Sequence, residues 1–232
     1  MEDIDAIALL QDPVRRRLYE YVAAQGREVG RNEAAEAAGV ARTLAAHHLD
    51  RLTEAGLLES GSRRLTGRSG PGAGRPAKVY TRARAERSVA LPSRDYRTAA
   101  ELLAETAERA GLDAELRAAA RRRGEELRGS AAPCGDLDEA VRTLTARGYE
   151  PHREDAEGAA EGTEGAEGSG RVVRMRNCPF HAVAERFPPL VCGMNLALLE
   201  GLLGTDGPLR ARMDARPGEC CVVVEDSKNN GD

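Results

Sequence analysis

The stretch from Arg31 to Leu58 constrains the fold more than any other part of the chain. It reads as a short Ala-rich helix over Arg31–Ala38, a glycine at Gly39, and a second helix from about Ala41 to Ala55. Gly56 then stops that helix before an apolar Leu57-Leu58. Asn32 is placed to cap the first helix. Ala34, Ala35, Ala37 and Ala38 let it pack closely, and Gly39 permits the tight turn. Helix, glycine turn, helix and then A-G-L-L is the sequence form of a helix-turn-helix followed by a wing. Upstream, Asp12-Pro13 opens another helix, with Asp12 as cap and Pro13 at the first helical position. Val14, Leu18 and Val22 recur there at helical spacing, with Tyr21 beside them.

The helix after the turn has two faces. Ala45, His48, Leu49 and Leu52 share one side at i, i+3, i+4 and i+7, the spacing of a buried stripe. Thr43, Ala46, His47 and Asp50 share the other, with Arg42 at the leading end. A recognition helix would meet base edges with that second set. An amphipathic bundle helix with a core histidine satisfies the same pattern, so the following segment decides. Leu57–Leu65 and Ala77–Arg82 form two strand-like arms around a Gly/Ser/Pro tip, which is a hairpin with a long loop. Arg63, Arg64, Arg68, Arg75 and Lys78 line it, and basic side chains on a hairpin suit phosphate contact and minor-groove entry.

Charge supports this division. The chain of 232 residues carries a formal charge of −4, which alone argues against a nucleic-acid partner. Residues 1–92 hold 15 Lys and Arg against 12 Asp and Glu, whereas 93–232 hold 19 against 26. A basic stripe on an otherwise neutral body is the electrostatic footprint that matters. The first ten residues are acidic, unlike a signal peptide, and no apolar run is long enough to span a membrane, so a cytoplasmic protein with reduced thiols is expected.

The motifs D-P-V-R-R-R-L-Y-E-Y-V, A-R-T-L-A-A-H-H-L-D-R-L-T-E-A-G-L-L and G-R-P-A-K-V-Y resemble the winged-helix regulators of the ArsR-like superfamily over roughly residues 8–84. The resemblance implies binding of double-stranded DNA through Arg42, Thr43, Ala46, His47, Asp50, Arg63, Arg64, Arg75 and Lys78. Gly67–Gly74 lengthens the wing beyond the family pattern, and this part lacks the paired cysteines and acids of the ArsR metal site.

Beyond the wing, Ser93–Arg123 is helical in pattern. Tyr96, Ala99, Leu103, Ala107 and Ala110 make one stripe, and Leu112, Leu116 and Ala119 a second. Helices at such a position act as connector and dimer surface, and paired recognition helices make a homodimer the expected state. Residues 1–92 thus form the winged helix-turn-helix, 93–130 a helical connector, and 131–226 a small α+β sensor domain, with a tail over 227–232. The whole is an α+β chain. Within the sensor, Leu137–Arg147 reads as a helix with Leu137, Val141 and Leu144 inward, and Tyr149-Glu150-Pro151 starts an edge strand. Residues 152–170 are acidic and Gly-rich with nothing to bury, hence a disordered loop. Arg171–Arg176 alternates as a strand.

Four of the five cysteines lie beyond that strand, at turns. Cys178 precedes Pro179 and a short helix over His181–Phe187. Cys192 lies in the first turn of a helix over Leu190–Leu203, where the helix N-terminus favours a thiolate. Cys220 and Cys221 begin a strand over Cys220–Glu225, and neighbours in a strand point to opposite faces, so the two are not expected to share one small site. Cys178, Cys192 and either Cys220 or Cys221 form the ligand set, with His181 as an alternative fourth, and Cys134 stands apart. No C-x-x-C knuckle is present. Three or four thiolates fit an iron–sulfur cluster and also Zn²⁺, and buried free cysteines would equally act as small hydrophobes.

N-C-P-F-H, L-V-C-G-M-N-L-A-L-L-E-G-L-L and R-P-G-E-C-C-V-V resemble the C-terminal region of the SufR-like regulators. The resemblance implies a repressor whose DNA affinity is set by a cysteine-bound cluster (4Fe–4S or 2Fe–2S), with Cys178, Cys192 and Cys220 as its ligands. Three other readings start from the same residues. The thiols could hold structural zinc or act bare in redox chemistry. An enzyme would use Cys192 as nucleophile, yet no base and orienter surround it in sequence, and G-P-G-A-G lacks the helix a phosphate loop needs. A protein-interaction module with a degenerate helix-turn-helix would bind no DNA.

Overall fold

The structure is a computed structural model that describes residues 2–63, 76–154 and 172–227. The chain divides into two compact units, Met1–Arg94 and Asp95–Asp232.

In the first unit, α1 (Glu2–Ala8) runs through a 3-10 turn into α2 (Pro13–Gln25). Asp12 caps α2 as the sequence requires, accepting from the Val14 and Arg15 amides at 2.9 Å. A two-residue strand, β1 (Val29–Gly30), leads into α3 (Arg31–Ala38). Gly30 stands at the N-cap of α3, and no side chain bonds there, so Asn32 is not the cap. Gly39 ends the helix in the left-handed region at φ 65°. After α4 (Arg42–Glu54), β2 (Leu58–Arg63) and β3 (Ala77–Arg82) pair antiparallel from Leu58↔Arg82 to Arg63↔Ala77. The short β1 adds to the other edge of β3, giving sheet order β1-β3-β2. Leu18, Val22, Val29, Ala45, Leu49, Leu52, Leu58 and Tyr80 form the core where the helices meet this sheet. The expected tip of the wing, with Arg64, Arg68, Arg75 and Gly67–Gly74, lies outside the described residues.

In the second unit, α5 (Tyr96–Ala110) and α6 (Asp113–Arg128) meet at Gly111. The region expected to be a separate connector belongs to this unit, because α6 lies along α9 (Pro188–Leu203). Glycines allow the approach. A Cβ on Gly124 would sit 2.7 Å from the Leu202 amide nitrogen, and one on Gly201 would sit 3.0 Å from that of Glu125. Arg121 pairs with Glu200 across the same crossing. On α5 the stripe expected to serve as connector and dimer surface is divided. Tyr96 is 74% and Leu103 72% exposed, while Ala104 and Ala107 pack on Phe187, Leu190 and Val191.

The rest of the unit is an antiparallel sheet backed by helices. α7 (Leu137–Thr145) buries Leu137, Ala140 and Leu144 and is capped by Asp136. The strands β4 (Pro151–Glu154), β5 (Val172–Met175), β6 (Leu209–Met213) and β7 (Val222–Asp226) stand in the order β4-β5-β7-β6. Residues 152–154 therefore belong to edge strand β4, not to an acidic loop, and 155–171 lie outside the described residues. Val173, Met175, Val222, Val224, Leu209 and Ala211 face the core with Leu199 and Leu203 of α9. The opposite sheet face carries ion pairs. Arg174, only 2% exposed, donates to Glu154 at 2.6 Å, to the Asp214 carboxylate at 2.6 Å and to the Asp214 carbonyl at 3.1 Å. Arg212 bridges Asp214 and Glu225, and Arg216 reaches Glu154. Among the described residues no helix is long and apolar enough to cross a membrane.

Candidate functional site

The first candidate surface lies on the N-terminal unit. The expected division of α4 holds: Ala45, His48, Leu49 and Leu52 are buried, and Arg42, Thr43 and His47 are exposed, with Ala46 half-buried. His48 accepts from Arg15 Nε at 3.4 Å, and burial lowers its pKa, so it is a neutral core histidine. Leu44, 42% exposed, joins the outward set that sequence spacing did not single out.

Asp50 departs from expectation. Its carboxylate accepts from Lys78 Nζ at 2.7 Å and Tyr80 Oη at 2.7 Å, with Arg31 at 3.5 Å. Burial opposes the charge, but the Lys78 and Tyr80 bonds outweigh it and hold the carboxyl below its ordinary value. Burial likewise pushes the Tyr80 hydroxyl up to about 12, which keeps it a donor. Asp50 therefore faces the wing, with its side chain still 40% exposed, and ties α4 to β3. Lys78, expected to meet phosphate, spends its charge there. Arg63 on β2 pairs with Glu28 at 3.2 Å and is 65% exposed. Arg27, Arg31, Arg42, Arg63 and Lys78 border one cleft of about 950 Å³ between α3 and the wing. Asp50→Asn is expected to free Lys78 while keeping the Tyr80 bond. The salt dependence of DNA binding should then steepen by about 0.9 in log K per log salt for each phosphate gained. Fluorescence anisotropy across a salt series measures this, and an unchanged slope would show that Lys78 has no phosphate within reach.

The second candidate site is in the C-terminal unit. Cys178 follows β5, Cys192 lies in α9, and Cys220 and Cys221 precede β7. The strand starts two residues later than its sequence pattern, at Val222, and Cys220 and Cys221 occupy the bend before it. The opposite-face rule therefore does not separate them. The Cys178 and Cys220 thiols hydrogen-bond each other, and Cys192 bonds Cys221 while also feeling Cys220. All four thiols gather in one place, Cys192 and Cys220 buried and the other two partly so.

The expected activation of Cys192 is overturned. α9 begins at Pro188, so the residue lies beyond the first turn, and burial followed by the Cys221 bond pushes its thiol up to about 12. The Cys220 bond and burial raise Cys178 as well. Cys220 is held below the ordinary thiol value, first by the bond from Cys178, then by the Val222 amide, Asn195 and its neighbour's amide. The Phe180 amide bonds Cys178 in the same way. His181 does not join them: its imidazole is 63% exposed and meets Glu185 at 3.2 Å. Cys134 stands apart against Thr143.

Two neighbours of the thiols were not singled out by the sequence pattern. Asn195, 1% exposed in α9, reaches Cys220 Sγ at 3.4 Å and Cys178 Sγ at 3.9 Å. Tyr149, 3% exposed, bonds Asn195 Oδ1 at 2.5 Å. A polar Asn inside the apolar L-V-C-G-M-N-L-A-L-L was the only clue.

Among the described residues no set of three or more His, Cys, Asp or Glu side chains stands in metal-ligating geometry. Cys178 is paired with Cys220, and Cys192 with Cys221. Their chemistry, soft sulfur donors ringed by N–H groups, nonetheless fits a thiolate-bound iron–sulfur cluster or Zn²⁺.

No curated protein and no solved structure matches the chain. Residues 9–61 match a protein-family model described as a helix-turn-helix domain. The match runs from the turn before α2 into β2, across the elements that build the first candidate surface, and the chain thus carries a helix-turn-helix domain over these residues.

Proposed function

We propose that this protein is a homodimeric repressor whose affinity for double-stranded DNA is set by a cysteine-held iron–sulfur cluster. The observation that carries the reading is the gathering of four thiols from three chain segments into one place. Cys178, Cys192, Cys220 and Cys221 are the residues that would hold the cluster. When bound, such a group supplies a cross-link sensitive to oxidants and to iron supply. The chain's part is to bring the turn after β5, the helix α9 and the bend before β7 together. Occupancy changes DNA affinity only through unequal affinity for two conformations of the protein. Exposed Tyr96, Leu102 and Leu103 on α5 support the dimer, since unpartnered apolar side chains gain by pairing across a two-fold axis. Arg42, Thr43, Ala46 and His47 are the side chains for base edges, with Arg63, Arg64 and Arg75 for phosphates.

A second reading has its own support. The pairwise hydrogen bonds of Cys178 with Cys220 and Cys192 with Cys221 suit bare redox thiols or structural zinc.

One preparation tests both levels. Full-length protein purified without oxygen should bind its own promoter DNA with strong salt dependence. Arg42→Ala and His47→Ala should each weaken that binding by about 1–3 kcal/mol, roughly 5- to 150-fold, if they read bases. Absence of salt-dependent binding would sink the regulator. Iron with acid-labile sulfide supports the cluster, whereas a colourless protein with stoichiometric zinc removes it and leaves the DNA-binding reading standing.

A further inference from the structure

We propose that Asn195 is a positioning residue for the thiol site: fixed by Tyr149, its carboxamide aims N–H groups at the Cys178 and Cys220 sulfurs. This inference rests on the metal-holding role proposed above.

The placement is hard to explain otherwise. α9 is apolar along most of its length, and a buried amide there costs free energy unless its hydrogen bonds are met. Asn195 is 1% exposed, and its bonds go to two sulfurs and one phenol. The Tyr149 hydroxyl is itself buried and donates to Oδ1 at 2.5 Å. With Oδ1 taken, the amide must present Nδ2 to the thiols, at 3.4 Å from Cys220 and 3.9 Å from Cys178. The flipped amide would set its oxygen against sulfurs that turn anionic on ligation, which is repulsive.

Backbone amides repeat the same polarity. Phe180 donates to Cys178, and Cys221 and Val222 donate to Cys220. Donors of this kind stabilise negative sulfur and steady the side chain that carries it. Groups next to metal ligands are worth roughly 10- to 100-fold in metal affinity. N–H bonds to ligating sulfur also raise a cluster's reduction potential. Asn195 is the side-chain member of this ring, and Tyr149, 46 residues away, fixes its orientation.

The test uses full-length protein reconstituted anaerobically with ferrous iron and sulfide, as wild type, Asn195→Ala and Tyr149→Phe. Circular dichroism and thermal melting check the fold. Wild type should load, and Asn195→Ala should lose iron to a chelator about tenfold faster, with its midpoint potential moved negative. Tyr149→Phe keeps the ring and removes only the hydroxyl, so it should shift both readouts the same way by less. It carries the test alone if Asn195→Ala fails to fold. Folded variants that match wild type in release rate and potential overturn the inference while leaving the cluster in place. A wild type that takes up no iron and sulfide removes the cluster and this inference together.

Discussion

Gly124→Ala is expected to destabilise the C-terminal unit by about 2–3 kcal/mol, although alanine is the better helix former. In an exposed helix the change would gain about 1 kcal/mol. Here the new methyl meets backbone: the Leu198 carbonyl oxygen, the Leu202 nitrogen at 2.7 Å and the Gly201 carbonyl carbon at 3.0 Å. No side-chain rotation relieves such a contact, so α6 and α9 must move apart, and overpacking of this kind costs about 1–3 kcal/mol or more. Gly193→Ala in α9, the helix that α6 crosses, is the control. Its methyl would meet only the Arg117 guanidinium, 2.9 Å away at Nε, which can swing into solvent. That variant should stay within about 0.5 kcal/mol of wild type or gain. Urea midpoints of the two variants side by side measure the difference. A Gly124→Ala protein as stable as wild type would mean that the helices do not cross so closely.

The next largest effect is expected at Arg174. Replacement by methionine removes the buried one of the two cations that each of Glu154 and Asp214 meets, leaving Glu154 with Arg216 and Asp214 with Arg212. Removing one partner of a buried pair costs about 3–5 kcal/mol. The two carboxylates are about a third exposed and keep Arg216 and Arg212, so water and these partners take up part of the loss and about 2 kcal/mol is expected at neutral pH. The pH dependence has a definite sign. Arg174 and Arg216 hold Glu154 below its ordinary 4.5, and Arg212 and Arg174 hold Asp214 below 3.8 against burial. Depressed carboxyl values mean that this stabilisation is fully present above about pH 4.5. It is lost as pH falls through the lower, folded-state values. The gap between wild type and Arg174→Met should therefore narrow in acid. Urea unfolding at pH 7 and pH 3 reads it, and a gap that stays constant would assign the cost to packing of the arginine stem instead.

What the sequence revealed and what it hid follow the range of the forces involved. The faces of α4 were legible because helical spacing alone sets which of Ala45, His48, Leu49 and Leu52 share a side. The Asp12-Pro13 start of α2 was legible because a cap bonds residues two and three positions away. Strand β1 was hidden: two residues, Val29 and Gly30, have no alternation to read. The stripe on α5 was legible only as a spacing, because amphipathic spacing does not say whether the apolar side meets its own chain or a partner. Asp50 sat on the correct helix face, yet Lys78 and Tyr80 claim it from another element. The thiol site was half legible. Its cysteines stood out, but a two-residue delay in the start of β7 decides that Cys221 joins Cys220 rather than opposing it. Asn195 and Tyr149 needed the tertiary fold.

The glycine crossing has a mechanical side. Cys192 and Gly201 share α9, nine residues apart, or about 13.5 Å at the helical rise. Close backbone contact, pinned beside it by the Arg121–Glu200 pair, makes the crossing a fulcrum, and the stiff helix between is a lever arm. Displacement at the sulfur end thus reaches α6 as a tilt about Gly124, amplified or damped by the lengths on either side.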